Sequence, residues 1–302
     1  MVNQKGGYFK IGFTQKDMYN RIDAKRRDEA FESDSHATIM YLQSKANFET
    51  NFYCRFSTDK KDRLANIFWR DSHFLFEYQC FGDVLVFDNT YKTNAYAKPL
   101  VLFIGVNNHR ATCVFGVMLL SDETVQSYRW VLNTLMNSMG HKHPISILTD
   151  GDEAMRQAID KIFPNSRHMI CGWHVSKNAS THLHKDEKKS PFRYLLYKKI
   201  SEDEVEELWK EMLEQHGLEE NDWMSRMYKK KHRWAEAYFK GHFFAGMRTT
   251  QRCEGMNNYM KDYVYNYEKL FEFIPQIDRA LMWLRIISLV TNTYLSVRVR
   301  SF

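Results

Sequence analysis

The sequence predicts an α/β domain interrupted by an all-helical insertion, and three observations carry that reading. Between residues 83 and 175, short apolar, β-branched runs alternate with amphipathic helical stretches. Two of those runs deliver an acid at their tip, Asp88 in VLVFDNT and Asp150 in ISILTDGD. A block from about residue 184 to 244 then shows only helical patterning, and it precedes a third acid, Glu254 in QRCEGMNNYM.

The elements follow in order. The opening fifty residues read as amphipathic helix, in QKDMYNRIDAKRRDEAF and again in SHATIMYLQSKA. Residues 51–70 are mixed and aromatic, with Ile67, Phe68 and Trp69 expected against the core. Residues 83–90, 99–108 and 112–121 read as three consecutive strands, antiparallel neighbours separated by turn residues. Residues 123–140 form a helix closed by Gly140, a residue favoured just past a helix end. A fourth strand spans 144–150, a helix 152–163 stops before Pro164, and a fifth strand at 166–175 runs into another helix. Three strands, helix, strand, helix, strand is the order of an RNase H-like core. In that fold the first acid belongs on the first strand and the second on the fourth, where Asp88 and Asp150 fall. The insertion holds SEDEVEELWKEMLEQHG and RMYKKKHRWAEAYFKG, and helices at 251–264 and 269–290 follow it.

Two strand-end Asp residues and a distant helical Glu suit two divalent cations engaged in phosphodiester chemistry. Mg²⁺ or Mn²⁺ fits this use, because few carboxylate oxygens leave room for water and phosphate. A strand-end Asp on its own reads better as a turn cap; the three together favour the metal site. Asp152 competes with Asp150 but falls in the first helical turn, where a carboxylate is favoured anyway. Asn257 and Asn258 share a helical face with Glu254, beside the site or on an ordinary solvated surface. Cys171 and His174 have the spacing of half a zinc site; His168, Cys253 or His182 would have to complete it. The other reading of that pair is a buried structural contact. The run YKKKHRWAEAYFK either tracks a phosphate backbone or is a solvated helix with packed rings.

Composition sets the outer bounds. The 302 residues suffice for one large domain or a core with an insertion, and 44% hydrophobic with 15% aromatic residues supports a well-buried core. Five Pro and thirteen Gly argue against long disordered linkers. No run approaches the roughly twenty apolar residues of a membrane span, and MVNQKGGYFK lacks a signal-peptide core, so a soluble intracellular protein without a membrane partner is expected. The net charge of +6 fits a polyanionic partner without demanding one. Five scattered cysteines with no CxxC pair point to a reducing compartment.

Four stretches, 66–100, 115–132, 144–174 and 233–264, carry a family resemblance. In them the sequence resembles the Mutator-like element (MULE) transposase domain as found in plant proteins of the far-red-impaired-response family. The helical lead-in from Gly12 also looks like that family's pre-catalytic segment. The resemblance implies that Asp88, Asp150 and Glu254 match the transposase triad, catalytic and metal-binding if retained, and that Cys171 and His174 match a CxxH element. Asn89 stands where Thr is common and Gly255 where a small hydroxyl residue is frequent. It further implies a domesticated transposase: a nuclear, DNA-associated transcriptional regulator in light-responsive gene expression, forming homo- or hetero-oligomers with related proteins. An active DDE transposase and a protein-interaction module are the alternatives. Relatives usually add flanking zinc domains; no Cys/His cluster precedes Asn51, so a truncated copy, a partial gene model or an isolated domain is expected. The expected organisation is a helical lead-in at 1–65 and a transposase-like domain at 66–302.

Overall fold

The computed structural model describes residues 15–89, 94–183 and 186–299, with side chains from residue 31 to 287 apart from 184–188 within those spans. The N-terminal decapeptide, the start of the lead-in at Gly12 and the start of the insertion at His184 lie outside the described residues.

The chain folds as α/β around one seven-stranded mixed sheet. Helix α1 (Gln15–Phe48) leads into a hairpin of β1 (Tyr53–Thr58) and β2 (Leu64–Arg70), then α2 (Ser72–Phe81). The five strands and two helices expected next appear in their expected order: β3 (Val84–Val86), β4 (Leu100–Val106), β5 (Thr112–Leu119), α3 (Val125–Ser138), β6 (Ser146–Thr149), α4 (Glu153–Ile162) and β7 (Arg167–Ile170). The sheet order is β1-β2-β5-β4-β3-β6-β7. Strands β1 to β5 pair antiparallel, whereas β3–β6 and β6–β7 are parallel, with α3 and α4 as the crossovers. This arrangement is consistent with an RNase H-like core.

Period-two alternation splits the sheet residues between two cores. Val84, Val86, Ile67 and Trp69 face a layer with Cys253, Met256, Leu270 and Phe273. Leu85, Phe87, Phe68 and Phe103 face the other way, onto Tyr128, Val131, Met155 and Ile159. A third core belongs to the helical segment that follows β7. It comprises α5 (Gly172–His182), α6 (Asp186–Tyr197), α7 (Glu202–His216), α8 (Asp222–Lys229) and 3₁₀ turns at Lys231–Arg233 and Glu236–Phe239. Phe192, Trp209, Trp223 and Trp234 are its centre. Helices α9 (Gln251–Lys261) and α10 (Leu270–Val299) close the fold.

Residues 51–70 differ from their reading as a mixed aromatic stretch. They supply two more strands, and a division of the chain at residue 65 falls inside β2. All seven β2 residues are buried, so the strand has no polar face and no alternation to read. Its two buried polar residues are both satisfied, Asn66 by Ser57 and Ser121 and Arg70 by the carbonyls of Asn51 and Ser138.

The N-terminal helix is tied into the body by two carboxylates. Asp34 accepts the backbone N–H groups of Leu270 and Phe271, both at 2.8 Å, and so caps α10. Asp278 of α10 accepts from Tyr41 Oη (2.9 Å), Lys45 Nζ (2.7 Å) and Trp69 Nε1 (3.0 Å). One side chain thus joins α1, β2 and α10.

A second network joins the insertion to the sheet. Arg233 donates to His168 Nδ1 (3.0 Å), which places the imidazole proton on Nε2, facing Thr149 Oγ1 at 2.8 Å. Thr149 in turn donates to the Asp150 carbonyl (2.9 Å). Arg233 also grips both oxygens of Asp160 at 2.9 Å. Burial, then the positive charges of Arg233 and Arg156, push the His168 pKa down from 6.5 to about 3.

Two outcomes follow. Replacing Asp278 by Ala strands three donors from three elements; a loss of about 2–4 kcal/mol in urea unfolding, with unchanged denaturant slope, is expected. For His168, the unfolded chain takes up a proton below its ordinary value of 6.5 while the folded chain does not, so stability falls as pH drops through that value. By pH 5 the loss is about 2 kcal/mol, and a His168→Gln variant lacks that component of the pH slope in parallel urea titrations.

Candidate metal centre

The C-terminal ends of the three parallel strands β3, β6 and β7 supply most of the site, as crevices at strand ends commonly do. Asp88 lies two residues beyond β3, Asp150 directly follows β6, and Cys171 directly follows β7 as the residue before α5. His174 sits in the first turn of α5, and Glu254 in the first turn of α9.

The donor atoms of Asp88, His174 and Glu254 all lie within 4.8 Å of one another. They are the one such group of three or more His, Cys, Asp and Glu among the described residues. His174 Nδ1 stands 4.0 Å from Asp88 Oδ2. These residues, with Asn89, Trp173, Lys177, Asn257 and Asn258, line a cleft of about 450 Å³. Asp88 is buried, yet it faces this cleft. Both amides expected on the Glu254 face therefore do border the acid cluster.

Thr250, which no motif or spacing singled out, organises the cleft. Its hydroxyl donates to Asp88 Oδ2 at 2.7 Å, and its backbone N–H donates to Cys171 Sγ at 3.3 Å. Thr250 precedes α9 as a capping residue would, but its side chain makes no cap bond there and serves Asp88 instead. Beside it, Gly172 N–H donates to the Arg248 carbonyl at 3.0 Å. A side chain at 172 would meet the Tyr197 ring at 3.0 Å and that carbonyl at 3.3 Å, so glycine permits the close approach.

Asp150 takes a different position. Its Oδ1 accepts the Asp152 backbone N–H at 3.1 Å, and Asp152 itself caps α4 by accepting from Met155 N–H at 2.7 Å. Burial, then the negative charge of Asp88, raise the Asp150 carboxyl well above the ordinary carboxylate range. Asp150 thus interacts with Asp88 through its charge but is not among the three residues whose donor atoms converge.

The Cys171–His174 pair is a local contact. Burial opposes ionisation of the Cys171 thiol, but hydrogen bonds from His174 and Thr250 outweigh it and lower the thiol pKa. The bond to Cys171 correspondingly raises the His174 pKa. The other residues considered for a zinc site are engaged elsewhere: His168 between Thr149 and Arg233, His182 stacked on Trp223. Cys253 is buried in the core layer under α9. All five cysteines are free. In the basic aromatic run, Trp234, Ala235 and Phe239 are buried, Lys231 pairs with Glu206, and Arg233 with Asp160. It is a packed segment in which Lys230, Lys231 and Arg233 are paired.

Three unpartnered, buried polar atoms lie on residues of this cleft: His174 Nδ1, Asn257 Oδ1 and Asn89 Oδ1. With two carboxylates beside them, the donor set fits a divalent cation. The two departures from the family pattern leave the acids in place. Asn89 donates to Tyr128 Oη, and a Cβ at Gly255 would meet nothing within 4 Å.

Similarity to known proteins agrees with this architecture. Residues 84–178, which include Asp88, Asp150, Cys171 and His174, match the MULE transposase domain. Over 286 residues the chain is 30% identical to Protein FAR1-RELATED SEQUENCE 5 of Arabidopsis thaliana, covering 93% of this chain and 36% of that protein. It is 31% identical over 282 residues to Protein FAR-RED IMPAIRED RESPONSE 1 of the same plant, covering 91% and 34% respectively. Protein FAR1-RELATED SEQUENCE 11 gives 31% over 273 residues, 88% of this chain and 40% of the relative. The chain therefore spans little more than a third of these relatives' length. The domain match and the similarity along most of the sequence identify a MULE transposase domain in this chain and relate it to the far-red-impaired-response proteins of plants.

Proposed function

We propose that this chain is the transposase-derived core of a DNA-associated transcriptional regulator, acting in the nucleus in light-responsive gene expression. The observation that carries the reading is the division among the three acids. Asp88 and Glu254 converge on one cleft, whereas Asp150 stands outside the converging group, its carboxyl pKa raised by burial and by the charge of Asp88. That arrangement suits one divalent cation, Mg²⁺ or Mn²⁺, holding a phosphate, better than the paired cations of an in-line displacement. When bound, the ion would supply positive charge for a phosphate oxygen. Asp88 and Glu254 would hold it, Thr250 would orient Asp88, and Lys177 would add a cation at the rim.

Other features support a polyanionic partner. Helix α9 contributes Glu254, Asn257 and Asn258 to the acid cleft and also borders a groove of about 790 Å³ whose lining includes Arg110, Arg252, Asn107, Asn108 and Gln251. Guanidinium and amide groups at a groove wall suit phosphate contacts. The name of one relative, Protein FAR-RED IMPAIRED RESPONSE 1, refers to a light response, and it supports the same role here. Among the described residues no helix is long and apolar enough to cross a membrane.

A second reading, assembly with a like chain, rests on α10. Met282, Trp283, Ile286 and Ile287 are 40–53% exposed and fall on one helical face. Flanking zinc domains, where the full protein has them, would add DNA contacts of their own.

Fluorescence anisotropy with random-sequence duplex DNA tests the main reading. Binding that weakens steeply with salt, strengthens several-fold with Mn²⁺, and loses the Mn²⁺ increment in an Asp88→Asn, Glu254→Gln variant is expected, with the DNA strands left intact. Strand cleavage that depends on Asp88, Asp150 and Glu254 would establish an active transposase instead, and absence of DNA binding at low salt would sink both. For assembly, sedimentation velocity is expected to show an oligomer that Trp283→Glu, Ile287→Glu converts to monomer; an unchanged profile removes that reading.

A further inference from the structure

The cleft offers more than carboxylate. We infer that the cation held there is bound by the imidazole nitrogen of His174 together with Asp88 and Glu254, so that the site selects a nitrogen-accepting ion of the Mn²⁺, Co²⁺ or Zn²⁺ class over Mg²⁺. The inference rests on the reading of this cleft as an ion site and names the ligand that sets its preference.

Geometry comes first. Two donors on one ion, each about 2.1 Å from it, can stand at most about 4.2 Å apart. His174 Nδ1 and Asp88 Oδ2 are 4.0 Å apart, the separation of ligands on nearly opposite sides of one ion and too long for a direct hydrogen bond. The remaining spacings among Asp88, His174 and Glu254 reach no further than 4.8 Å, and three donors spread evenly at about 2.1 Å from one ion stand about 3.6 Å apart, so an inward movement of roughly half an ångström by each side chain closes the group.

Unmet polar groups come second. His174 Nδ1 is buried without a hydrogen-bond partner, a costly state for an imidazole nitrogen. Asn257 is 8% exposed, lines the same cleft, and its Oδ1 is also buried and unpartnered. A nitrogen and an amide oxygen left unpaired around two carboxylates form a mixed N/O donor set.

Support from behind the ligands comes third. Histidines that bind metals are oriented by a partner on the far side of the ring. Here His174 hydrogen-bonds Cys171, whose sulfur is fixed by the backbone N–H and hydroxyl of Thr250. The same Thr250 hydroxyl bonds Asp88, so one residue aligns two of the three ligands. Hard Mg²⁺ keeps oxygen ligands and water, whereas imidazole suits the later divalent ions. The competing explanation is a plain ion pair between protonated His174 and Asp88.

The test uses the whole chain with Mn²⁺ and Mg²⁺ as probes, followed by calorimetry and by pulsed electron paramagnetic resonance of bound Mn²⁺. One Mn²⁺ per chain, bound roughly 10-fold or more tighter than Mg²⁺, with nitrogen modulation from a coordinated imidazole, is expected. His174→Gln should abolish the modulation and bring Mn²⁺ to within about threefold of Mg²⁺. Asn257→Asp, which adds a carboxylate at the cleft and leaves the imidazole in place, should tighten both ions and keep the modulation. Circular dichroism confirms that each variant is folded. Mn²⁺ bound without nitrogen modulation, or an unchanged Mn²⁺/Mg²⁺ ratio in His174→Gln, overturns the nitrogen ligand and leaves a carboxylate ion site standing. Failure of both ions to bind saturably overturns the ion site itself, and with it this inference.

Discussion

The hydrogen bond from Thr250 to Asp88 spans 162 positions of sequence, and the cleft depends on it. Asp88 reaches its place two residues past the shortest strand of the sheet, and Glu254 reaches its place on a helix that follows the whole insertion. Two chain segments that distant meet in register only if something specific pins them. Thr250 does so with both of its polar groups, the hydroxyl on Asp88 and the amide on Cys171, while Gly172 N–H holds the Arg248 carbonyl alongside. Each of these groups is desolvated, so the pairings resist fraying more than surface contacts of the same length would.

The insertion separates Glu254 from the sheet in sequence but not in space. Its aromatic core is its own, built on Phe192, Trp209, Trp223 and Trp234. It is coupled to the rest by Ile170 of β7, which shares its core, by Phe239, which enters the sheet's core, and by polar contacts of Arg233 to His168 and Asp160 and of Arg248 to buried Glu236 at 2.6 Å. The His168 link continues through Thr149 to the carbonyl of Asp150. A displacement of the insertion is therefore felt at the end of β6, next to the site, and a rigid insertion keeps that strand end fixed. The same economy holds on the opposite face, where Asp34 and Asp278 fasten α1 to α10 and β2.

Much of the α/β core was legible because its signals are local. Strands β3 to β7 are short apolar runs bounded by turn residues, α3 ends at a Gly with positive φ, and α4 ends just before Pro164. The hairpin of β1 and β2 was not legible, since a strand buried on both faces carries no alternation and Asn66 interrupts its apolar run. At the site, Asp88 and Glu254 could be picked out as acids in strand-end and helical contexts. Thr250 could not, because its partner lies far away in sequence and its place before α9 suggests a helix cap that the fold does not use.

By itself, then, the sequence determined the order of the central elements, the acids available to the site and the family, since these follow from residue type and short-range spacing. Only the tertiary structure decided which of those residues meet. It brought His174 rather than Asp150 into the converging group with Asp88 and Glu254, and it held Asp150 beside Asp88 with a raised pKa. The physical reason is that convergence depends on helix placement and on long-range hydrogen bonds. The first turn of α5 swings His174 toward Asp88, and Thr250 draws the start of α9 to the same point.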